Sequence, residues 1–228
     1  MEINCIYISG HPISEMYVRL IEPSWDGYNF RPRKAVTPKD LVYRHELPFG
    51  IKKAGKIREF TLTEKAVWYS HYDLWKSCVR RNTPMVIIEH DSKLTAPLPK
   101  MPNTLKFLSY INRDFVDENG ELYNNSPALA PGSGYYITPT AASILIAQAI
   151  SSDVKQNSDG HLLSIGAELN PEYHRRMKRS NVDRVTDFMY IEQINNDQLN
   201  TIDHRRDQRK FIGVDYEDFD LSSVYGQE

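Results

Sequence analysis

Met85-Val86-Ile87-Ile88 is an unbroken apolar run that stops abruptly at Glu89-His90-Asp91. A strand with one wet face alternates apolar and polar residues. Four apolar residues in succession instead require cover on both faces, the mark of a central strand in an α/β sheet. The opening of the chain, Ile3-Asn4-Cys5-Ile6-Tyr7-Ile8, is largely apolar too and breaks at Ser9-Gly10-His11-Pro12, which predicts a second buried strand followed by a turn. Between the two lies the strongest helix signal. Thr61-Leu62-Thr63-Glu64 fits a capping box, in which the Thr hydroxyl and the Glu carboxylate each satisfy a first-turn amide. Val67, His71, Leu74, Trp75 and Cys78 then recur at helical spacing, and the helix is expected to stop near Arg80-Arg81-Asn82, before Pro84. Strand, helix and buried strand in this order imply a mixed, mainly parallel α/β sheet flanked by helices.

The remaining segments are read around that frame. A helix is expected from about Ile13 to Ile21. Residues 22–58, rich in Pro, Gly and basic groups, read as mostly loop with a strand near Arg33–Val36. Gly134-Tyr135-Tyr136-Ile137 reads as a strand, and Thr138-Pro139 as a cap with proline at the first helical position of a helix over Ala141–Ile150. Residues 151–166 read as loops, and beyond Asn170 helical and irregular stretches are expected, without a second core.

A chain of 228 residues buries about 70 to 75% of its unfolded surface and folds without disulfides or metals. The two cysteines, Cys5 and Cys78, make no disulfide framework, no apolar run reaches the roughly 18 residues of a membrane span, and Met1-Glu2-Ile3-Asn4 shows neither a basic nor an apolar leader region, so no secretory signal is expected. A cytoplasmic location is expected. The net charge of -2 conceals a distribution. Residues 1–174 carry 19 basic and 19 acidic groups, 175–210 carry 9 and 6, and 211–228 carry five acids and no base. One domain over residues 1–210 with an acidic tail over 211–228 is the expected organisation.

Glu89-His90-Asp91 carries the chemistry. In extended backbone, residues i and i+2 point to one side, so the two carboxylates converge and His90 points away. The tripeptide follows the carboxyl end of a buried strand, where open α/β sheets place their ligand crevice. Two hard oxygen donors there suit Mg²⁺ or Mn²⁺ shared with a diphosphate. His71, on the apolar face of the best helix, reads on spacing alone as a buried histidine satisfied by a neighbour.

Leu62-Thr63-Glu64-Lys65-Ala66-Val67-Trp68-Tyr69-Ser70-His71-Tyr72-Asp73-Leu74-Trp75-Lys76, followed by Val86-Ile87-Ile88-Glu89-His90-Asp91, resembles the core signature of glycosyltransferase family 25. That signature is a helix with Ser-His and a Trp, then a hydrophobic strand into Glu-Asp-Asp. Asn4 to Ile8, Arg33 to Thr37 and Gly132 to Pro139 are similar to the family's opening strand, its Ala-Val segment and its Gly-Tyr-strand-Pro-helix step. Here Ala66-Val67 replaces Gly-Cys, and His90 replaces the middle acid while both outer acids remain. The resemblance implies an A-type glycosyltransferase fold that uses a nucleotide sugar and Mn²⁺ or Mg²⁺. It assigns Ile8, Ser9, Gly10, Val36, Thr37, Ser70, His71, Glu89 and Asp91 to the donor, and Glu89 and Asp91 to the metal. His204, beside Asp203, is a candidate further ligand. Asp183 and Asp187, near the family's later Val-Asp element, are candidates for a general base or for acceptor binding.

Two basic clusters, around Arg175-Arg176 and Arg205-Arg206, suit an anionic acceptor, because clustered guanidinium groups neutralise phosphates. A saccharide of lipopolysaccharide type fits, and so does DNA with a hydroxymethylated base exposed from the stack. Two rival classes stay open here. One is a metal-dependent nuclease built on Glu89, Asp91, His71 or His90; the other is a non-catalytic nucleotide-binding module.

Overall fold

The unbroken run forms β3 (Met85–Glu89), the central strand of five. In the computed structural model, residues 1–51, 59–116, 122–129, 132–151, 154–156, 158–169 and 190–194 are described. β3 pairs in parallel with β1 (Glu2–Tyr7), which in turn pairs in parallel with β2 (Asn29–Lys34). On its other side β3 runs antiparallel to β8 (Gly134–Ile137), and β8 antiparallel to β5 (Leu105–Phe107). The sheet, ordered β2-β1-β3-β8-β5, is therefore parallel at one edge and antiparallel at the other, evenly mixed rather than mainly parallel as expected.

Alternation along β3 explains its composition. Met85 and Ile87 enter the core formed by helix α2 (Leu62–Arg81), helix α3 (Pro139–Ser151) and helix α4 (Ser158–Leu169). Val86 and Ile88 enter a second core with Ile3, Cys5 and residues of helix α1 (Pro12–Ile21). All four are at most 1% exposed, as cover on both faces demands. Both cysteines are free and buried. Among the described residues, no helix is long and apolar enough to cross a membrane.

Helix α2 begins and ends where its sequence says. Glu64 N–H donates to Thr61 Oγ1 (3.2 Å) and Thr61 N–H to Glu64 Oε2 (3.0 Å), the reciprocal bonds of a capping box. Asn82 closes the helix in the left-handed conformation, with φ 48°. The buried face is wider than the expected stripe. Val67 is only half-buried, whereas Trp68, Tyr69 and Tyr72 are core residues. Helix α2 lies under both α3 and α4, so more than one face is covered.

Three expectations are corrected. The second strand lies at Asn29–Lys34 rather than 33–36, and only Ala35 N–H continues the ladder, to Tyr7 O (2.7 Å). Residues 158–166, part of the stretch expected as loop, belong to helix α4, held by Leu162 (0% exposed) and by the His161 ring against Trp68 (centroids 4.8 Å). A second sheet, absent from the sequence reading, has the order β4-β9-β6-β7, from β4 (Ser92–Leu94), β6 (Ser109–Val116), β7 (Leu122–Leu129) and β9 (Ile191–Gln193).

At the far end from β3's acids, Glu2 (9% exposed) takes both guanidinium nitrogens of Arg81 at 2.6 Å, with Arg33 at 3.4 Å. The Arg81 hydrogen bonds, against the opposing effect of burial, hold the Glu2 carboxyl at about 2, below its ordinary 4.5. A depressed folded-state pKa gives stability that is present above the unfolded value and is lost as pH falls through the folded one. Glu2→Gln is therefore expected to flatten the acid limb of a urea-denaturation pH profile between pH 5 and 2. The loss at neutral pH is about 1 kcal/mol, because half-exposed arginines are screened by solvent.

Candidate active site

Parallel pairing brings the carboxyl ends of β1 and β3 to one edge, with Ile6 opposite Glu89. The backbone does not stay extended through Asp91, as the sequence reading supposed. It turns at His90-Asp91 into β4. The turn is fastened from both sides: Trp25 Nε1 donates to Ser92 O (3.1 Å), and Ser92 Oγ donates to Ser133 O (2.5 Å). Strand alternation therefore sets Glu89, and the turn sets Asp91.

The two carboxylates occupy different surroundings. Glu89 faces helix α2, with His71 Nε2 at 3.9 Å from Oε1 and Ser133 Oγ donating to Oε2 at 3.3 Å. Burial alone would raise its pKa, but the His71 and His90 rings and the Ser133 hydroxyl outweigh burial and hold it below the ordinary range. Asp91, 3% exposed, accepts from Gln193 Nε2 at Oδ2 (3.1 Å), while its Oδ1 is buried with no hydrogen-bond partner. Burial, reinforced by the negative charge of Glu89, pushes the Asp91 carboxyl up to about 7. An orphaned, buried carboxylate oxygen with a second acid nearby is a donor set that could hold a hard cation such as Mg²⁺ or Mn²⁺. Among the described residues no three His, Cys, Asp or Glu side chains form a cation site by themselves. Such a two-carboxylate set matches magnesium sites that borrow oxygens from substrate phosphates.

His90 points elsewhere, as expected. Its ring packs on Tyr17 of α1 (centroids 5.8 Å), and burial, followed by the neighbouring His11, lowers its pKa to about 4, Glu89 acting in the opposite sense. It is therefore neutral at physiological pH.

The other donor-site candidates gather at the same end but are largely engaged. After β1, Ile8 N–H donates to Ser14 Oγ (2.9 Å) and Gly10 N–H to Glu15 Oε1 (2.8 Å), with Gly10 at φ +79°, a conformation side chains resist. Ser9 is exposed between them. Ser70 Oγ accepts from Val36 N–H (2.9 Å) and donates to Ala66 O (2.9 Å), so Ser70 ties the segment after β2 to α2. Thr37 donates its amide (2.7 Å) and hydroxyl (2.8 Å) to Asp40, starting the 3₁₀ turn Pro38–Tyr43. Asp183, Asp187, His204, Arg175, Arg176, Arg205 and Arg206 lie outside the described residues, as does the acidic tail. The surface depression lined by Asp73, Lys76, Ser77 and Arg80 is on the opposite side of α2 from His71 and plays no part in this crevice.

One residue the sequence reading missed belongs here. A Cβ added at Gly132 would collide with the Asp159 carboxylate while lying 3.9 Å from Glu89 Oε1, so Glu89 and Asp159 flank one glycine. Asp159 sits in the first turn of α4, where a helix dipole favours an acid. Ser158-Asp159 ahead of Leu162 was the available helix-start signal.

The site is thus a mixed α/β sheet with acidic side chains at and just past the end of its central strand. Residues 22–123 match the family model of glycosyltransferase family 25 (LPS biosynthesis protein). Over those residues, less than half of the chain, the sequence is similar to that family. A solved structure, that of a glycosyltransferase involved in the glycosylation of the major capsid of PBCV-1, is similar at TM-score 0.40 and 8% identity, over 86% of this chain and 93% of that one. No curated protein matches.

Proposed function

We propose that this protein is a glycosyltransferase that moves a sugar from a nucleotide-sugar donor to a hydroxyl of a saccharide acceptor of lipopolysaccharide type, with a divalent cation held by Glu89 and Asp91. The orphaned Oδ1 of Asp91 beside Glu89, at the carboxyl ends of β1 and β3, carries this reading. The family description, LPS biosynthesis, supports the saccharide acceptor. Mn²⁺ or Mg²⁺ would supply neutralising charge to the diphosphate leaving group.

The protein's own groups have separate tasks. Glu89, tethered by Ser133 and faced by His71, presents a fixed carboxylate. Asp91 keeps one oxygen uncommitted. Ser9 and the Val36-Thr37 segment border the edge where the nucleoside would lie. As the bond from the anomeric carbon to the diphosphate oxygen breaks, the acceptor oxygen bonds to that carbon and its proton must leave. In an inverting reaction a carboxylate takes that proton, and Asp159, across Gly132 from Glu89, is the described side chain suited to it.

The nuclease alternative fares less well, because His90 packs against α1 and the ring nitrogens of His71 face Tyr135 and Glu89. DNA as acceptor rests on the arginines of 175–206, outside the described residues, and has no further support. A thermal-shift screen of UDP-, GDP- and CMP-sugars with and without Mn²⁺ tests the proposal. Stabilisation by about 3 kcal/mol is expected from a cognate donor at 100 times its dissociation constant. It should require the cation, and no stabilisation by any nucleotide sugar would sink the reading.

A further inference from the structure

Behind Glu89 lies a buried polar chain that the reaction scheme leaves unused. The Tyr135 hydroxyl is 2.8 Å from Trp75 Nε1 and 2.9 Å from His71 Nδ1, and the three residues are at most 1% exposed. An indole nitrogen only donates, so Trp75 fills one lone pair of the phenol oxygen. Burial, partly offset by the Trp75 hydrogen bond, pushes the Tyr135 phenol well above its ordinary range, so the oxygen keeps its single proton. A buried O–H requires an acceptor, and His71 Nδ1 is in place to be one. An imidazole that accepts at Nδ1 carries its proton on Nε2. That nitrogen is the one facing Glu89 Oε1, at 3.9 Å. The opposite tautomer fails twice over: Nδ1–H donating to Tyr135 leaves the phenol proton without a partner, and it turns the Nε2 lone pair onto a carboxylate.

We propose that the hydrogen-bonded series Trp75, Tyr135, His71 fixes His71 as the Nε2–H tautomer, so that His71 and Tyr135 are positioning residues that orient Glu89. His71 is then neither a metal ligand nor a proton acceptor. Its N–H faces Oε1 at 3.9 Å, an electrostatic contact too long for a direct hydrogen bond, while the Ser133 hydroxyl bonds Oε2, so Glu89 is flanked on both sides. Hydrogen-bonding groups behind a metal-binding carboxylate set its orientation and affinity. The tautomer follows from hydrogen bonding alone, whereas the effect on a cation rests on the function proposed above.

Nitrogen NMR of ¹⁵N-histidine-labelled, metal-free protein tests this, with the His71 signals assigned by their loss in His71→Gln. The expected spectrum is that of a neutral ring protonated at Nε2. An Nδ1-protonated ring, or an exchanging mixture, would overturn the proposal. Tyr135→Phe is expected to release the tautomer into a mixture and to weaken Mn²⁺ binding, followed by electron paramagnetic resonance, by about 10- to 100-fold. A folded Tyr135→Phe that keeps the pure Nε2–H form overturns it. Should that variant not fold, the spectrum of the unaltered protein still decides. Unaltered protein that shows the Nε2–H ring but binds no Mn²⁺ upholds the relay and removes the metal assignment.

Discussion

Asp91→Asn is expected to lower turnover of the nucleotide sugar by about 10³-fold. A cation on the leaving diphosphate is worth several kcal/mol of charge stabilisation, and each 1.4 kcal/mol is tenfold in rate. The amide keeps the volume and the Gln193 contact but loses the anionic oxygen, so the loss would belong to the proposed cation. A second readout separates this from misfolding. Burial and the charge of Glu89 raise the Asp91 carboxyl from 3.8 to about 7 in the metal-free protein. A raised folded-state pKa on an acid means that ionisation opposes folding. The penalty is absent below pH 4, grows between pH 4 and 7, and is full above pH 7. Metal-free Asp91→Asn is therefore expected to melt above the unaltered protein at pH 8, and Mn²⁺ should no longer raise its Tm. Undiminished activity in Asp91→Asn removes Asp91 from the metal site.

The parts of this fold that were legible share one property: local chemistry dictates them. Four apolar residues at 85–88 need two covered faces, Thr61 and Glu64 bond to each other within one turn, and Thr138-Pro139 starts α3, with Ala141 N–H donating to Thr138 Oγ1 at 3.3 Å. The illegible parts depend on distant partners. Strands β4 and β9 have three residues each, too few to show a period, and they exist because Ser92–Leu94 pairs with Ile191–Gln193. Helix α4 opens Ser158-Asp159-Gly160, a turn-like triplet, and a helical glycine costs about 1 kcal/mol. Leu162, buried in the core with α2, and the His161 ring against Trp68 outweigh that cost. The site divides the same way. The placement of Glu89 and Asp91 at the end of β3 was legible because a strand end announces it, although the turn that positions Asp91 was not. Asp159 was missed because only folding brings it to Gly132, and the Tyr135 hydroxyl because its partners sit 60 and 64 residues away.

That dependence makes Trp68 the residue whose loss should cost most in stability and then in chemistry. It is 1% exposed, its ring meets Trp75 (centroids 5.8 Å), Phe49 (6.4 Å) and His161 (4.8 Å), and its Nε1 donates to Gln156 O (2.9 Å) two residues before α4. One side chain therefore anchors both the start and the first turn of the helix that carries Asp159. Trp68→Ala removes a buried indole and leaves a cavity, at about 3–5 kcal/mol. For a chain of this size that is a drop in Tm of about 10 °C or more. Trp68→Phe separates the two contributions. It keeps most of the packing but orphans the Gln156 carbonyl, at about 1–3 kcal/mol. If Asp159 takes the acceptor proton, turnover in folded Trp68→Phe should fall while nucleotide-sugar binding, which the proposal gives to Glu89 and Asp91, stays unchanged. Equal losses in binding and turnover would place Asp159 outside the proton transfer and leave Trp68 with a purely structural role.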